Sequence, residues 1–164
     1  VAAKFAGEEA LAWVSAQQLH LTLRFLGETD AITLAALRGA LRQLQFAPFR
    51  LVTAGVGFFP DERNASVFWV GINHDERLLA FKGQLDQLLA AQGFPRDNRR
   101  FTPHLTVARI RAPLAPALIR RLLDQEPRLA GHGVMVGGFG LYSSELTPGG
   151  AVHTLEEEYP AAKV

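Results

Sequence analysis

Two copies of the triplet His-Leu-Thr constrain this chain more than any other feature. The first copy runs from His20 to Thr22 and the second from His104 to Thr106. Side chains alternate between the two faces of a β-strand, so in each copy the imidazole and the hydroxyl point the same way. Around the first copy the alternation continues, with Leu19, Leu21, Leu23 and Phe25 on one face and Gln18, His20, Thr22 and Arg24 on the other. This pattern predicts a half-buried strand with a polar face.

A single His-x-Thr can be an ordinary polar position on a strand, because one short motif is weak support for a function. Here the motif occurs twice in a chain with five histidines, and an arginine follows each copy. The repetition favours a functional pair.

Composition limits what that pair can do. The chain has 164 residues, of which 48% are hydrophobic and 20% charged, which is typical of one globular domain. It has no cysteine, so disulfides, thiolate metal sites and cysteine nucleophiles are excluded, and a cytoplasmic enzyme is expected. No apolar run approaches the roughly 18 residues of a membrane span, so no membrane role is expected.

Arginines cluster in one stretch of the chain. From Arg96 to Arg128 there are eight arginines against three acidic residues. Arginine grips phosphate with two hydrogen bonds at once. Arg99, Arg100 and Arg109 flank the second triplet and are candidates for that role. Arg120, Arg121 and Arg128 instead fit a solvated helix face.

Apolar periodicity and turn residues predict the remaining elements. Helices are expected at about 1–12, from Thr29 or Asp30 to before Pro48, at about 75–91, and after Pro116. Strands are expected at about 50–58, 66–72, 133–142 and 151–155, besides the two His strands and a brief extended stretch at 12–15.

Both halves thus repeat the order His-x-Thr strand, helix, two strands, with 84 residues between His20 and His104. A duplication predicts an α+β fold of one domain, 1–164, made of two pseudo-symmetric lobes at about 13–91 and 99–158. If the two lobes join their sheets across an approximate two-fold axis, both His-Thr faces can line one cleft from opposite sides.

Two imidazoles suit acid-base chemistry at phosphorus. An unperturbed histidine has a pKa of roughly 6.5, so one can accept a proton while the other donates one. Thr22 and Thr106 could hold phosphoryl oxygens, and Arg24 could supply positive charge where negative charge accumulates. Neither strand has metal-ligand spacing or a carboxylate, and no nucleophile elbow or nucleotide-binding glycine pattern is present, so no metal or cofactor is expected.

The two triplets resemble the paired His-x-Thr signatures of the two-histidine phosphoesterase superfamily. Their surroundings resemble its RNA 2′,3′-cyclic phosphodiesterase branch, also called 2′-5′ RNA ligases. The similar stretches are Gln18-LHLTLRFLG-Glu28, Gly57-FFP-Asp61, Val67-FWVG-Ile72, Arg100-FTPHLTVAR-Ile110 and Leu141-YSSELTPGG-Ala151.

This resemblance implies two related lobes of antiparallel sheet with outer helices around a central cleft. It also implies hydrolysis of a ribose 2′,3′-cyclic phosphate to a 2′-phosphomonoester without metal or cofactor. His20 is then expected to protonate the leaving 3′ oxygen, His104 to activate water and both threonines to hold the phosphate, although pseudo-symmetry allows either order of acid and base. Arg109 matches the family's arginine but has the opposite strand parity from His104, so it can help only if the strand bulges or ends. Phe58 matches an aromatic that can stack on a base, with a place in the core as the alternative.

Two other activities stay open. The same groups could join a 2′,3′-cyclic end to a 5′-hydroxyl as a 2′-5′ linkage, because a catalyst serves both directions. Alternatively, the chain could bind RNA ends without turnover. The expected partner in each case is RNA or a nucleotide with a 2′,3′-cyclic phosphate end, bound by a monomer.

Overall fold

The computed structural model describes residues 9–147 and 150–162, and these residues form strands and helices in mixed order. The elements are β1 Leu11–Trp13, α1 Ala31–Leu41, β2 Phe49–Phe59, β3 Val67–Ile72, α2 Glu76–Ala91, β4 His104–Ile110, α3 Pro116–Leu123, α4 Glu126–Leu129, β5 Gly133–Val136, β6 Gly138–Thr147 and β7 Gly150–Pro160.

The strands form two sheets. One has the order β1-β4-β3-β2-β5, and the other is the hairpin β6-β7. The pairs β1 with β4, β3 with β4, β2 with β3, and β6 with β7 are all antiparallel. The expected α+β class with antiparallel sheets is therefore confirmed. The final hairpin is longer than predicted, and its predicted turn includes Pro148 and Gly149, which lie outside the described residues.

Local signals explain the two long helices. The Asp30 carboxylate accepts hydrogen bonds from the backbone N–H groups of Ile32 and Thr33, both at 2.9 Å. Asp75 accepts from Arg77 and Leu78 in the same way at the start of α2. Such caps stabilise a helix by about 0.5–2 kcal/mol. Asp30 is thus the cap, as predicted, while α1 ends at Leu41, earlier than the predicted end near Pro48.

The described residues of Val1–Leu23, Val52–Asn73 and Phe101–Gly133 form one compact unit, and those of Arg24–Leu51, His74–Arg100 and Val134–Val164 form another. The first unit has a core of Leu11, Phe58, Phe68, Ala108, Leu118 and Leu122. In the second unit, aromatic rings from Phe46, Phe81, Phe139 and Tyr159 pack in a continuous series, with centroids 4.4–5.3 Å apart at the Phe46–Phe81, Phe81–Phe139 and Phe139–Tyr159 contacts. Two lobes at about 13–91 and 99–158 stay a prediction.

The predicted strand around His20 is wrong in its extent. Residues Ala16–Gln18 form one 3-10 turn, and within the following segment only Leu21 pairs, as an isolated antiparallel bridge to Leu105. The strand is short because part of the β4 edge is already occupied. β1 pairs with the C-terminal residues of β4, and Trp13 lies opposite Ala108. From Trp13 to Leu21 the chain advances eight residues, whereas their partners in β4, Ala108 and Leu105, are only three residues apart. The extra residues of the first segment therefore form a loop.

The predicted helix at 1–12 is also wrong where the structure describes it, because Leu11–Trp13 is a strand. The pairing explains the difference, since Leu11 lies opposite Ile110 and Arg111 N donates to Ala10 O at 2.8 Å. The remainder of that predicted helix, residues 1–8, lies outside the described residues.

Candidate active site

The bridge between Leu21 and Leu105 brings the two triplets together within the first unit. In an antiparallel register, the residues one step either side of a bridge also lie opposite each other, about 4.5–5.5 Å apart between Cα atoms. If that register continued one step in each direction, His20 would lie opposite Thr106 and Thr22 opposite His104. In β4, His104 and Thr106 lie on the face away from Leu105.

Both imidazoles are held in the same way by the backbone. His20 Nδ1 lies 2.7 Å from Gln18 O, and His104 Nδ1 lies 2.7 Å from Thr102 O. A carbonyl oxygen can only accept, so Nδ1 must be the donor in each ring. Each ring therefore carries a proton on Nδ1, and Nε2 is its other nitrogen.

A β-bulge places Arg109 on the same face as the second triplet. Trp69 pairs with Thr106 and Phe68 pairs with Ala108, so β4 uses one more residue than β3 over this step. Beyond the bulge Arg109 pairs with Val67, which shares a face of β3 with Trp69. Arg109 therefore lies on the face of Thr106 and His104 despite its sequence parity, which meets the condition set from the sequence. Its side chain is exposed.

Phe58 does not lie on that face. It pairs with Phe68, their ring centroids are 5.3 Å apart, and Phe58 is 5% exposed within the core of the first unit. The placement corresponds to the alternative considered from the sequence, a core phenylalanine. A base cannot stack on a ring that is already enclosed by the core.

Sequence reasoning missed the aromatic residues that do accompany His104. Phe59 lies with its ring centroid 4.8 Å from that of His104 in an edge-to-face arrangement, and Trp69 packs on Phe59 at 5.2 Å. The glycines of these strands could have indicated where the rings lie. Gly57 pairs with Trp69, and Gly71 pairs with His104. A glycine opposite a large ring in a strand pair leaves the space that the ring occupies.

Arg24, predicted to stabilise charge beside His20, has other partners. Its guanidinium donates to Pro95 O, and Nη1 lies 3.7 Å from Oδ1 of Asp86, whose Oδ2 pairs with Lys82. The side chain is only 10% exposed. These contacts lie in the second unit and engage the guanidinium there.

Arg99, considered as a phosphate ligand, also has an acidic partner. It binds Asp97 through two hydrogen bonds, from Nε at 2.9 Å and from Nη2 at 2.8 Å. Those hydrogen bonds hold the pKa of the Asp97 carboxyl well below its ordinary range.

No group of three or more His, Cys, Asp or Glu side chains in the described residues could hold a metal ion. None of the helices in the same residues has the length and apolar character to cross a membrane.

The chain is similar to known proteins over most of its length. A family model described as the 2′-5′ RNA ligase superfamily matches residues 3–146. A protein of Thermus thermophilus described as RNA 2′,3′-cyclic phosphodiesterase is 36% identical over 154 residues, which cover 89% of this chain and 73% of that protein. One with the same description from Methanothermobacter thermautotrophicus is 30% identical over 144 residues, covering 87% and 78% of the two chains.

Solved structures show the same fold. The crystal structure of a protein from Thermus thermophilus gives a TM-score of 0.76 at 31% identity, covering 96% of this chain and 86% of that one. Escherichia coli LigT complexed with 3′-AMP gives a TM-score of 0.76 at 26% identity, covering 99% and 87%. The fold is thus that of the LigT-like proteins with antiparallel sheets and helices. The chain belongs to the 2′-5′ RNA ligase superfamily.

Proposed function

We propose that this protein hydrolyses the 2′,3′-cyclic phosphate at the end of an RNA or a nucleoside to a 2′-phosphomonoester. The observation that carries the proposal is the bridge between Leu21 and Leu105, which brings the two His-Leu-Thr triplets together. The equal Nδ1 contacts of both rings support it, because acid-base catalysis needs a defined titrating nitrogen. Relatives described as RNA 2′,3′-cyclic phosphodiesterases support the reaction class.

In the proposed reaction, His104 Nε2 takes a proton from water as the water oxygen attacks phosphorus. The bond between phosphorus and the 3′ oxygen breaks, and His20 donates its Nε2 proton to that oxygen. The 2′ ester bond remains. The two histidines end with exchanged protonation states, and proton exchange with solvent restores them. No metal takes part.

Thr22 and Thr106 hold the non-bridging phosphoryl oxygens in this proposal. Their support is positional, since the Leu21–Leu105 bridge brings the two triplets together and both threonines are half-buried. Arg109 adds positive charge from the same face of β4 and forms no ion pair with a described residue. Arg24 receives no part in the reaction, because Asp86 and Pro95 O engage its guanidinium.

The test is hydrolysis of a 2′,3′-cyclic nucleotide and a short cyclic-ended RNA from pH 5 to 9 with excess EDTA. Phosphorus NMR identifies the product. We expect a bell-shaped rate profile and only the 2′-phosphate. Loss of turnover with EDTA, or a 3′-phosphate product, would refute the mechanism.

Single variants assign the groups. His20→Ala and His104→Ala should each lower kcat by about 10²- to 10⁴-fold, the contribution usual for a general acid or base. His132→Ala is the matched control, because His132 is exposed and its ring contacts only the backbone carbonyl of Arg128 among the contacts described for it. Full activity in either triplet variant would exclude that histidine from catalysis.

A second candidate is 2′-5′ ligation, favoured by the family to which the chain belongs. The same acid and base would serve it, with a 5′-hydroxyl replacing water. Incubation of a cyclic-ended RNA with a 5′-hydroxyl acceptor decides between them, because ligation yields a longer RNA and hydrolysis does not. Cytoplasmic location and a monomeric state stay predictions, and size measurement in solution checks the second.

A further inference from the structure

We propose that Phe59 is a positioning residue that orients the His104 imidazole, and that Trp69 holds Phe59 in place. The inference rests on the proposed function for its kinetic consequence, whereas the ring geometry itself stands on the structure. Neither aromatic residue carries a group that could transfer a proton. Their effect on the reaction must therefore pass through His104.

Three rings form a continuous contact in the first unit. The centroids of Phe59 and His104 are 4.8 Å apart with an interplanar angle of 75°. Phe59 and Trp69 are 5.2 Å apart with an angle of 33°, and Trp69 and His104 are 6.3 Å apart with an angle of 58°. Edge-to-face pairs at such separations are attractive because the positive edge of one ring meets the negative face of the other.

Strand register explains why these rings meet. Phe59 pairs with Val67 on β3, and Trp69 lies two residues further along that strand, so the two aromatics share a face. His104 joins them through its own pairing with Gly71. Gly71 has no side chain, and a Cβ there would clash with the backbone oxygen of Ala54 and lie 3.3 Å from Trp69 Cζ3. Glycine thus lets both the carbonyl group and the indole approach this position.

The backbone contact alone does not fix the imidazole. The hydrogen bond from Nδ1 to Thr102 O holds one atom of the ring, and the ring can still tilt about that point. Phe59 supplies a second contact and so restricts the tilt. Proton transfer requires Nε2 within hydrogen-bond reach of the attacking water, and a misplacement of about 1 Å can cost on the order of 10²-fold in rate.

The experiment compares Phe59→Leu with Phe58→Leu. The two residues are neighbours on β2 but face opposite sides, and Phe58 packs in the core. We expect Phe59→Leu to lower kcat about tenfold with little change in KM, because a partial misplacement costs less than the full 10²-fold. Phe58→Leu should lower stability but leave kcat within about twofold. Phe59→Tyr, which keeps the ring, should restore kcat.

A spectroscopic measurement tests the contact without turnover. In a ¹⁵N–¹H correlation spectrum of the imidazoles, His104 should show a ring-current shift of its carbon-bound protons. Phe59→Leu should remove that shift and leave the signals of His20 unchanged. Unchanged His104 signals in Phe59→Leu would overturn the proposal, even if the protein proved inactive on every cyclic phosphate.

The alternative role for Phe59 is to stack on the substrate base, and a substrate without a base separates the two. We expect the same loss of kcat with 2′,3′-cyclic AMP and with the cyclic phosphate of 1-O-methylribose. A rise in KM confined to cyclic AMP, with unchanged kcat, would overturn the positioning role. If the unmodified protein turns over neither substrate, the proposed function fails, and the NMR result alone decides the positioning role.

Discussion

Replacing Gly57 with alanine should displace the indole of Trp69, which packs on Phe59. A Cβ at this position would lie 2.4 Å from Trp69 Cζ2 and 2.8 Å from Cη2. Since ordinary contact begins at 3.4 Å, the indole must move by the difference of 1.0 Å. Forcing an extra group into a packed space costs about 1–3 kcal/mol. Without that clash, alanine would instead stabilise by about 0.4–1 kcal/mol, because it restricts the unfolded chain.

The sign of the change in unfolding free energy therefore shows whether the added Cβ clashes with the indole of Trp69. Urea denaturation followed by tryptophan fluorescence measures it, and kcat on a cyclic nucleotide should fall in parallel, because Trp69 packs on Phe59. Gly39→Ala is the matched control, since Gly39 lies within α1 with nothing within 4 Å of its Cβ position. It should stabilise by about 0.5–1 kcal/mol. Equal stabilisation by Gly57→Ala would refute the indole's placement over Gly57.

Three further outcomes are expected. Arg24→Gln should lower the unfolding free energy by about 1–3 kcal/mol, because it removes a charged hydrogen-bond donor, yet leave kcat within about twofold; a large loss of kcat at unchanged stability would contradict this. Arg109→Ala should change stability by no more than about 0.5 kcal/mol. It should reduce kcat/KM and make kcat/KM less dependent on salt. An unchanged kcat/KM would exclude Arg109 from substrate binding. Burial first, and then the charge of Glu157, raise the pKa of Tyr159 from 10.0 to about 12. The contribution of the neutral Tyr159 hydroxyl to stability should therefore be complete below pH 10 and be lost between pH 10 and 12. An alkaline unfolding curve of Tyr159→Phe identical to that of the unmodified protein would contradict this.

Local signals made part of the fold predictable. Asp30 and Asp75 cap their helices, and the apolar spacing that follows each cap gave α2 within one residue and the start of α1. The β2-β3 hairpin also appears where turn residues indicated it. Each of these elements depends on interactions between residues close in sequence, so composition and spacing suffice to find them.

The predicted strand around His20 was wrong because a strand depends on residues far away in the sequence. A strand exists only if another chain segment offers free hydrogen-bonding groups along its length. The edge of β4 that the first triplet would need is occupied beyond Val107 by β1 and by Val14, whose N–H donates to Val107 O. Alternating side chains around His20 contain no information about that competition.

By itself the sequence determined which chemical groups this protein has, two imidazoles and two hydroxyls in repeated triplets, and the family to which they point. Only the tertiary structure decided which groups share a face. The bridge between Leu21 and Leu105 brings the two triplets together, and one bulge brings Arg109 to the face of His104. Strand pairing turns Phe59 toward His104 and Phe58 into the core. The physical reason is that strand faces depend on hydrogen bonds between segments far apart in the chain, and one extra residue in a strand reverses every side chain beyond it.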